Sequence, residues 1–240
     1  MKNKNIFFEH DDDTGTSIGL EYEKYLHQSQ SKYQNIEIIN TRKYGNAMYL
    51  DGCFMLSEKN QEYYHNKCID LVPKKARNIL IIGGGDFAIA SMLSVLKTVE
   101  SITIVEIDIE VVELSKQYFP AFFNLKKYQN KKIDLIVQDG CVFLKNNNKC
   151  FDCIIIDSTD PVSDAKILFS KPFLKRCFNA LYKSGVIIQQ SGSPLKDKKA
   201  LIDPTMKKYN EIGFQNIKVH DFSMPLYPTG TWSFLRAERA

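Results

Sequence analysis

The chain has 240 residues, 44% of them hydrophobic and 25% charged, a balance that supplies a full core and excludes an intrinsically disordered protein. No apolar run approaches the roughly 20 residues of a membrane span, and the opening stretch MKNKNIFFEHDDD lacks the apolar centre of a secretory signal, so a cytoplasmic protein with no membrane partner is expected. The formal net charge of +4 is mild, and the basic cluster KKYQNKK at 126–132 has no aromatic platform beside it, which predicts a solvated loop and no nucleic-acid partner.

In chain order, His10 with Asp11, Asp12 and Asp13 comes first and reads as a solvated turn rather than a metal-ligand set. In YQNIEIINT, apolar Ile36 and Ile38 alternate with Asn35 and Glu37 in the period of a half-buried strand. YGNAMYL and CFML are joined by Asp51-Gly52, a strong hairpin signal. SEKNQEYYHNKCIDLV then spreads its apolar residues at helical spacing, with Ser57 and Gln61 resembling a capping box, and this places Tyr64 and His65 on a helix. The chain divides near Pro73, with a small antiparallel β-hairpin domain over 1–72 and a Rossmann-like domain over 73–240.

Beyond Pro73, strands alternate with helices. ARNILIIGGG is a strand, FAIASMLSVL a helix, SITIVEID a strand and IEVVELSKQYF a helix, with Val111, Leu114, Ser115 and Tyr118 at helical spacing before Pro120. KIDLIVQDG and FDCIIIDSTD are further strands. The alternation predicts an α/β fold, a doubly wound and mainly parallel sheet with its site at the carboxyl ends of the strands. Of the six cysteines only Cys150 and Cys153 form a C-x-x-C, and Cys153 enters a strand rather than opening a helix, so reduced structural thiols are expected.

The glycine turn narrows the ligand. Gly83, Gly85 and Ala88 fit a dinucleotide fingerprint, but Asp86 follows the glycines, where a carboxylate repels a pyrophosphate at close range. Glu106 ends the next strand, about twenty residues on, where an acid accepts hydrogen bonds from ribose hydroxyls. Asp139-Gly140 ends the third and Asp157 and Asp160 flank the fourth. Any one of these acids alone would be assigned to helix capping. Acids at successive strand ends suit a nucleoside that carries positive charge, such as an S-adenosyl sulfonium with an amine.

At these positions the sequence resembles the spermidine synthase family of polyamine aminopropyltransferases. The ordered series SKYQNIEI, YGNAMYLDG, EYYHNK, IIGGGD, VEID, DG at 139–140, DSTDP at 157–161 and MPLYPTG carries the resemblance over nearly the whole chain. The resemblance implies that decarboxylated S-adenosylmethionine is bound as co-substrate, with no separate cofactor or metal. Gln34 and Glu106 would hold its ribose, Asp139 beside Gly140 the adenine amino group and Asp86 the amine of the aminopropyl arm, with His65 and the Gly83–Gly85 turn against the nucleoside. Asp157 would be the catalytic acid residue beside the attacking amine. Tyr64, Asp160, Gln190 and Tyr227 would line the acceptor channel, and the loop after Asp160 would act as a gate. The family resemblance also implies a homodimer or homotetramer.

The residue types suit that chemistry. An amine attacks the methylene beside the sulfonium and methylthioadenosine leaves as a neutral thioether; freeing an amine of pKa about 10.4 from its proton at pH 7 costs roughly 4–5 kcal/mol. An ordinary aspartate near 3.9 is a weak acceptor for that proton in water, so Asp157 is expected to orient the amine and take the proton as attack proceeds. The chain departs from the family pattern at Phe87, where glycine is usual, at Ser91-Met92, at Asn66, and at Ser163 and Asp164 in the gate. The nucleoside and catalytic acids are retained, and the acceptor is what these changes leave open. Phe87 either fills space near the aminopropyl arm or packs on the sheet. A methyltransferase using intact S-adenosylmethionine, and a non-catalytic nucleoside- or polyamine-binding relative, are the alternatives; an NAD-dependent dehydrogenase ranks behind both.

Overall fold

Period-two burial before Pro73 closes one sheet, and the apolar runs after it build a second. The computed structural model describes residues 5–12, 14–123, 132–147, 150–159 and 163–240. Asp13, Asp160 and most of the basic cluster at 126–132 lie outside the described residues; of that cluster only Lys132 is within them.

The first sheet is antiparallel and runs in sequential order: β1 (Asn5–Asp11), β2 (Thr16–Gln30), β3 (Asn35–Thr41), β4 (Gly45–Leu50) and β5 (Cys53–Ser57). Its β4–β5 turn is the expected Asp51-Gly52, both residues in the left-handed region with φ of 49° and 79°, as a two-residue hairpin turn demands. In β3, Ile36 and Ile38 pack with Met48, Leu50 and Leu56, while Ile39 joins a second cluster on the opposite face. Helix α1 (Glu62–Leu71) follows, but Ser57 does not cap it. Ser57 is still in β5 and its hydroxyl donates to the Lys59 carbonyl; the Gln61 side chain bonds instead to the His65 ring.

The second sheet has the order β11-β12-β10-β9-β6-β7-β8. Its parallel strands are β6 (Asn78–Gly83), β7 (Ser101–Glu106), β8 (Lys132–Val137), β9 (Phe151–Asp157) and β10 (Leu181–Gln190). β12 (Thr231–Arg239) runs antiparallel to both β10 and β11 (Phe214–Ser223). The central strands are buried on both faces, which is why they read as unbroken apolar runs. Ile79 and Ile81 of β6 face one cluster with α1, α2 (Ala88–Ser94) and α3 (Ile109–Tyr118). Leu80 and Ile82 face another with α4 (Gly140–Asn146), α5 (Lys171–Ala180) and α6 (Asp203–Ile212). This is the doubly wound, Rossmann-like arrangement expected. α3 presents Val111 and Leu114 to Ile36, Ile38 and Met48 of the first sheet, so the two sheets share a continuous core. Among the described residues no helix is long and apolar enough to cross a membrane.

β6 and β9 meet most closely at their ends. Gly83 pairs with Asp157, Gly84 N donates to the Asp157 carbonyl at 3.0 Å, and a Cβ on Gly83 would lie 2.0 Å from that oxygen. With a φ of 84°, Gly83 is needed both for its backbone angle and for its missing side chain. Gly52→Ala, at a positive φ in open space, is expected to cost about 1–2 kcal/mol, and Gly83→Ala about 3–4 kcal/mol because the clash is added to the strain. Urea midpoints of the two variants measure that difference.

Candidate active site

β7 lies on one side of β6 and β9 on the other, so the connections leaving β6 and β9 part company and a crevice opens at their carboxyl ends. A cavity of about 820 Å³ occupies it. The turn Gly83–Gly85 forms one wall, Met48, Leu50 and Leu56 of the small sheet another, and Ala165–Leu168, after the gate segment, a third. Of the residues singled out from sequence, Gln34, Tyr64, His65, Gly83, Gly85, Asp86, Glu106, Asp139, Gly140, Asp157 and Tyr227 all line it. Gln190 does not; it lines an adjoining cavity of about 300 Å³.

Three carboxylates meet at the crevice. Asp157 ends β9, and its Oδ1 accepts the Tyr64 hydroxyl at 2.6 Å. Tyr64 is fixed from α1 by two rings of the second sheet, 4.8 Å from Phe234 on β12 and 6.0 Å from Phe222 on β11. Burial, then the charge of Asp86, pushes the Asp157 carboxyl up to about 7; the Tyr64 bond opposes this and Glu106 adds to it. Glu106 ends β7, and its Oε1 accepts the Asp108 N–H at 2.9 Å. Burial pushes it up to about 7 as well, although the N–H groups of Asp108, Ile107 and Gly85 pull the other way. Asp86 Oδ1 accepts the Ala88 N–H at 2.8 Å, opening α2, while Oδ2 lies 3.8 Å from His65 Nε2. The His65 ring is buried, and burial lowers its pKa, so it faces Asp86 as a neutral imidazole at neutral pH.

The remaining positions divide. Asp139 lies two residues past the end of β8, and its Oδ1 caps α4 through the Val142 N–H at 2.9 Å; the capping role holds for one oxygen of a residue that also lines the cavity. Phe87 stands at the left-handed residue before α2 and stacks on Phe123 at 4.6 Å. It is buried in the core and does not line the cavity, so packing is its place. Gln190 donates to the Thr159 carbonyl at 3.1 Å and accepts the Gly192 N–H at 3.2 Å. Tyr227 borders both cavities, edge-on to Trp232 at 4.6 Å. All six cysteines are free thiols.

Two corrections matter. Asp11 is not in a solvated turn: it ends β1, is buried, and pairs with Lys196. Its partner comes from a loop 185 positions away, which no local pattern announces. Asp108, the last residue of VEID, is a site residue that the strand pattern does not single out. It is buried, caps α3, and accepts Gln34 Nε2 at 2.9 Å and the Ser31 hydroxyl at 2.6 Å, so it holds the Gln34 side chain at the cavity wall. The signal was present, since an acid directly before a helical pattern is an N-cap. Among the described residues no group of three His, Cys, Asp or Glu is arranged to hold a metal ion.

Comparison with known proteins points the same way. Residues 64–240 match the spermine/spermidine synthase domain, and residues 6–58 the spermidine synthase tetramerisation domain. The chain is 35% identical over 238 residues to the polyamine aminopropyltransferase of Methanocaldococcus jannaschii, covering 98% of this chain and 80% of that one. It is 36% identical over 246 residues to the polyamine aminopropyltransferase of Xanthomonas axonopodis pv. citri, with 99% and 84% covered. A crystal structure of spermidine synthase in complex with the transition state analogue AdoDATO superposes with a TM-score of 0.89 at 25% identity, over 98% of this chain and 80% of the other. Spermidine synthase from Thermotoga maritima superposes with a TM-score of 0.85, also at 25% identity, over 98% and 79%.

The raised carboxyl of Asp157 has a consequence for stability. A carboxyl whose pKa is higher in the folded chain takes up its proton there first, so its contribution is full below the unfolded value near 3.9 and is lost as pH rises to about 7. Asp157→Asn removes that loss. The variant is expected to gain melting temperature relative to the parent at pH 8 but not at pH 4, as thermal unfolding at the two pH values will show.

Proposed function

The chain belongs to the spermidine synthase family and is a polyamine aminopropyltransferase, and on that premise we propose how its residues carry the transfer from decarboxylated S-adenosylmethionine to putrescine or a similar amine. The observation that carries the reading is the Tyr64–Asp157 pair: Tyr64 borders both cavities, and its hydroxyl holds the carboxylate that lines the larger one. The donor nucleoside fills the larger cavity. Its ribose lies against Glu106 and Gln34, its adenine amino group on Asp139 by Gly140, and the ammonium of its aminopropyl arm against Asp86, with Gly83, Gly85 and His65 as walls. The acceptor enters along the smaller cavity past Gln190 and Tyr227.

Asp157 and Tyr64 orient the acceptor nitrogen. Its lone pair forms the new C–N bond to the methylene beside sulfur, and the C–S electrons stay on sulfur as the thioether methylthioadenosine. The proton on the attacking nitrogen passes to Asp157 and on to solvent. A neutral leaving group needs no Lewis acid, so the donor serves as the only co-substrate and no bound cofactor is assigned. Holding both reactants in line supplies much of the acceleration. The match of residues 6–58 to a tetramerisation domain, together with exposed Ile6 and Phe8 on β1, supports a homodimer or homotetramer. Six free thiols support a cytoplasmic location.

Two measurements test this reading. With decarboxylated S-adenosylmethionine and putrescine, mass spectrometry is expected to detect methylthioadenosine and one aminopropylated product. Asp157→Asn should lower kcat by about 10²–10⁴ while the donor Kd changes far less; an unchanged kcat would remove Asp157 from the chemistry. Because Asp157 and Glu106 titrate near 7 before a cation arrives, donor binding should release protons and weaken as pH falls from 8 to 5.5. Calorimetry in buffers of different ionisation enthalpy reads both effects.

A further inference from the structure

The smaller cavity contains an ion pair that no step of the transfer uses. Lys196 Nζ lies 2.7 Å from Asp11 Oδ2, with side-chain exposures of 20% and 4%, and both residues line this cavity with Glu9 and Gln190. Met55, Tyr64, Ser158, Thr159 and Tyr227 border both cavities, so an acceptor reaching Asp157 has its remaining length in the smaller one. We propose that Lys196, held by Asp11, sets the length of acceptor the enzyme takes, admitting a linear diamine and disfavouring a linear triamine.

The pair is built into the wall rather than laid on it. Asp11 Oδ1 accepts the Thr14 N–H at 3.0 Å, so both carboxylate oxygens are engaged. The backbone that carries Lys196 is closed by Ser193 N donating to Asp197 Oδ2 and Asp197 N donating to the Ser193 carbonyl, both at 2.7 Å. Ser193 is itself buried and accepts the Thr229 hydroxyl at 2.6 Å. The ammonium therefore stands at a fixed place in a confined site, where charges act at a lower effective dielectric than in water. Glu9, whose Oε2 accepts the Phe54 N–H at 3.1 Å, supplies a negative charge for the distal ammonium of a diamine, whereas Asp12, which also lines this cavity, is exposed and screened by water. A third nitrogen, also protonated at neutral pH, would be carried against Lys196, and Asp11 is already committed to that lysine.

This inference rests on the aminopropyl reading, and the test separates the two. The ratio of kcat/KM for spermidine to that for putrescine is measured by methylthioadenosine release for the parent, Lys196→Met, Lys196→Arg and the double variant Lys196→Met with Asp11→Asn. The double variant removes both charges together, so that no buried carboxylate is stranded. The ratio is expected to rise about tenfold in Lys196→Met and in the double variant, a size that loss of one nearby like charge readily supplies, and to stay at the parental value in Lys196→Arg. A ratio unchanged in both charge-removing variants, in protein that still turns over putrescine, would overturn the inference. Absence of methylthioadenosine from the parent with either amine would defeat the aminopropyl reading and this inference with it.

Discussion

The close approach of β6 to the end of β9 is the constraint on which the site depends. Gly83 pairs with Asp157, and the next N–H donates to the Asp157 carbonyl, so the glycine turn and the Asp157 carboxylate are set by one backbone contact. That contact brings Asp86, three residues further on, near enough to raise the Asp157 pKa. It also leads into α2 at Ala88 and puts Gly85 against Glu106. A side chain at Gly83 would separate the strands and spread the three acids together. The placement of the three acids is thus fixed by main chain, which does not relax as a side chain would.

On this frame the protein concentrates negative charge and supplies little to offset it. Asp157 and Glu106 are raised first of all by their own burial, and the neighbouring acids Asp86 and Asp108 contribute. Such an arrangement costs stability in the free chain. A ligand that is itself cationic reverses the account, because sulfonium and ammonium groups hold the carboxylates ionised. Affinity and charge state are then a single property, and a neutral nucleoside would gain little of it.

The sheet and the crevice were legible because their signals are local. Apolar runs that end at Gly83, Glu106 and Asp157 mark parallel strands, and Asp51-Gly52 marks its hairpin with two residues at positive φ. The carboxyl-terminal third was harder to read. β10 passes through Lys183 and Ser184 at a register shift before it becomes apolar, and β11 is largely solvent-facing at an edge, so neither has a clean period. Ser57 and Gln61 imitated a capping box while β5 still claimed the serine. Asp11 imitated a solvated turn for a deeper reason: its burial depends on Lys196, a partner distant in sequence. Long-range ion pairs leave no periodic trace in either segment.

Asp11 and Asp157 show how one residue type is put to opposite uses. Asp11 is buried and Asp157 half-buried at the cavity wall, and desolvation alone pushes both upward. At Asp11 the protein provides the cation, and Lys196 with the Thr14 N–H holds the carboxyl below the usual range. At Asp157 the direct partner is a neutral hydroxyl and the nearby charges are negative, so the carboxyl stays high. The first carboxylate is satisfied before any ligand arrives and serves as wall. The second has no cation beside it among the described residues, and that difference separates the wall of the smaller cavity from the crevice that Asp157 lines.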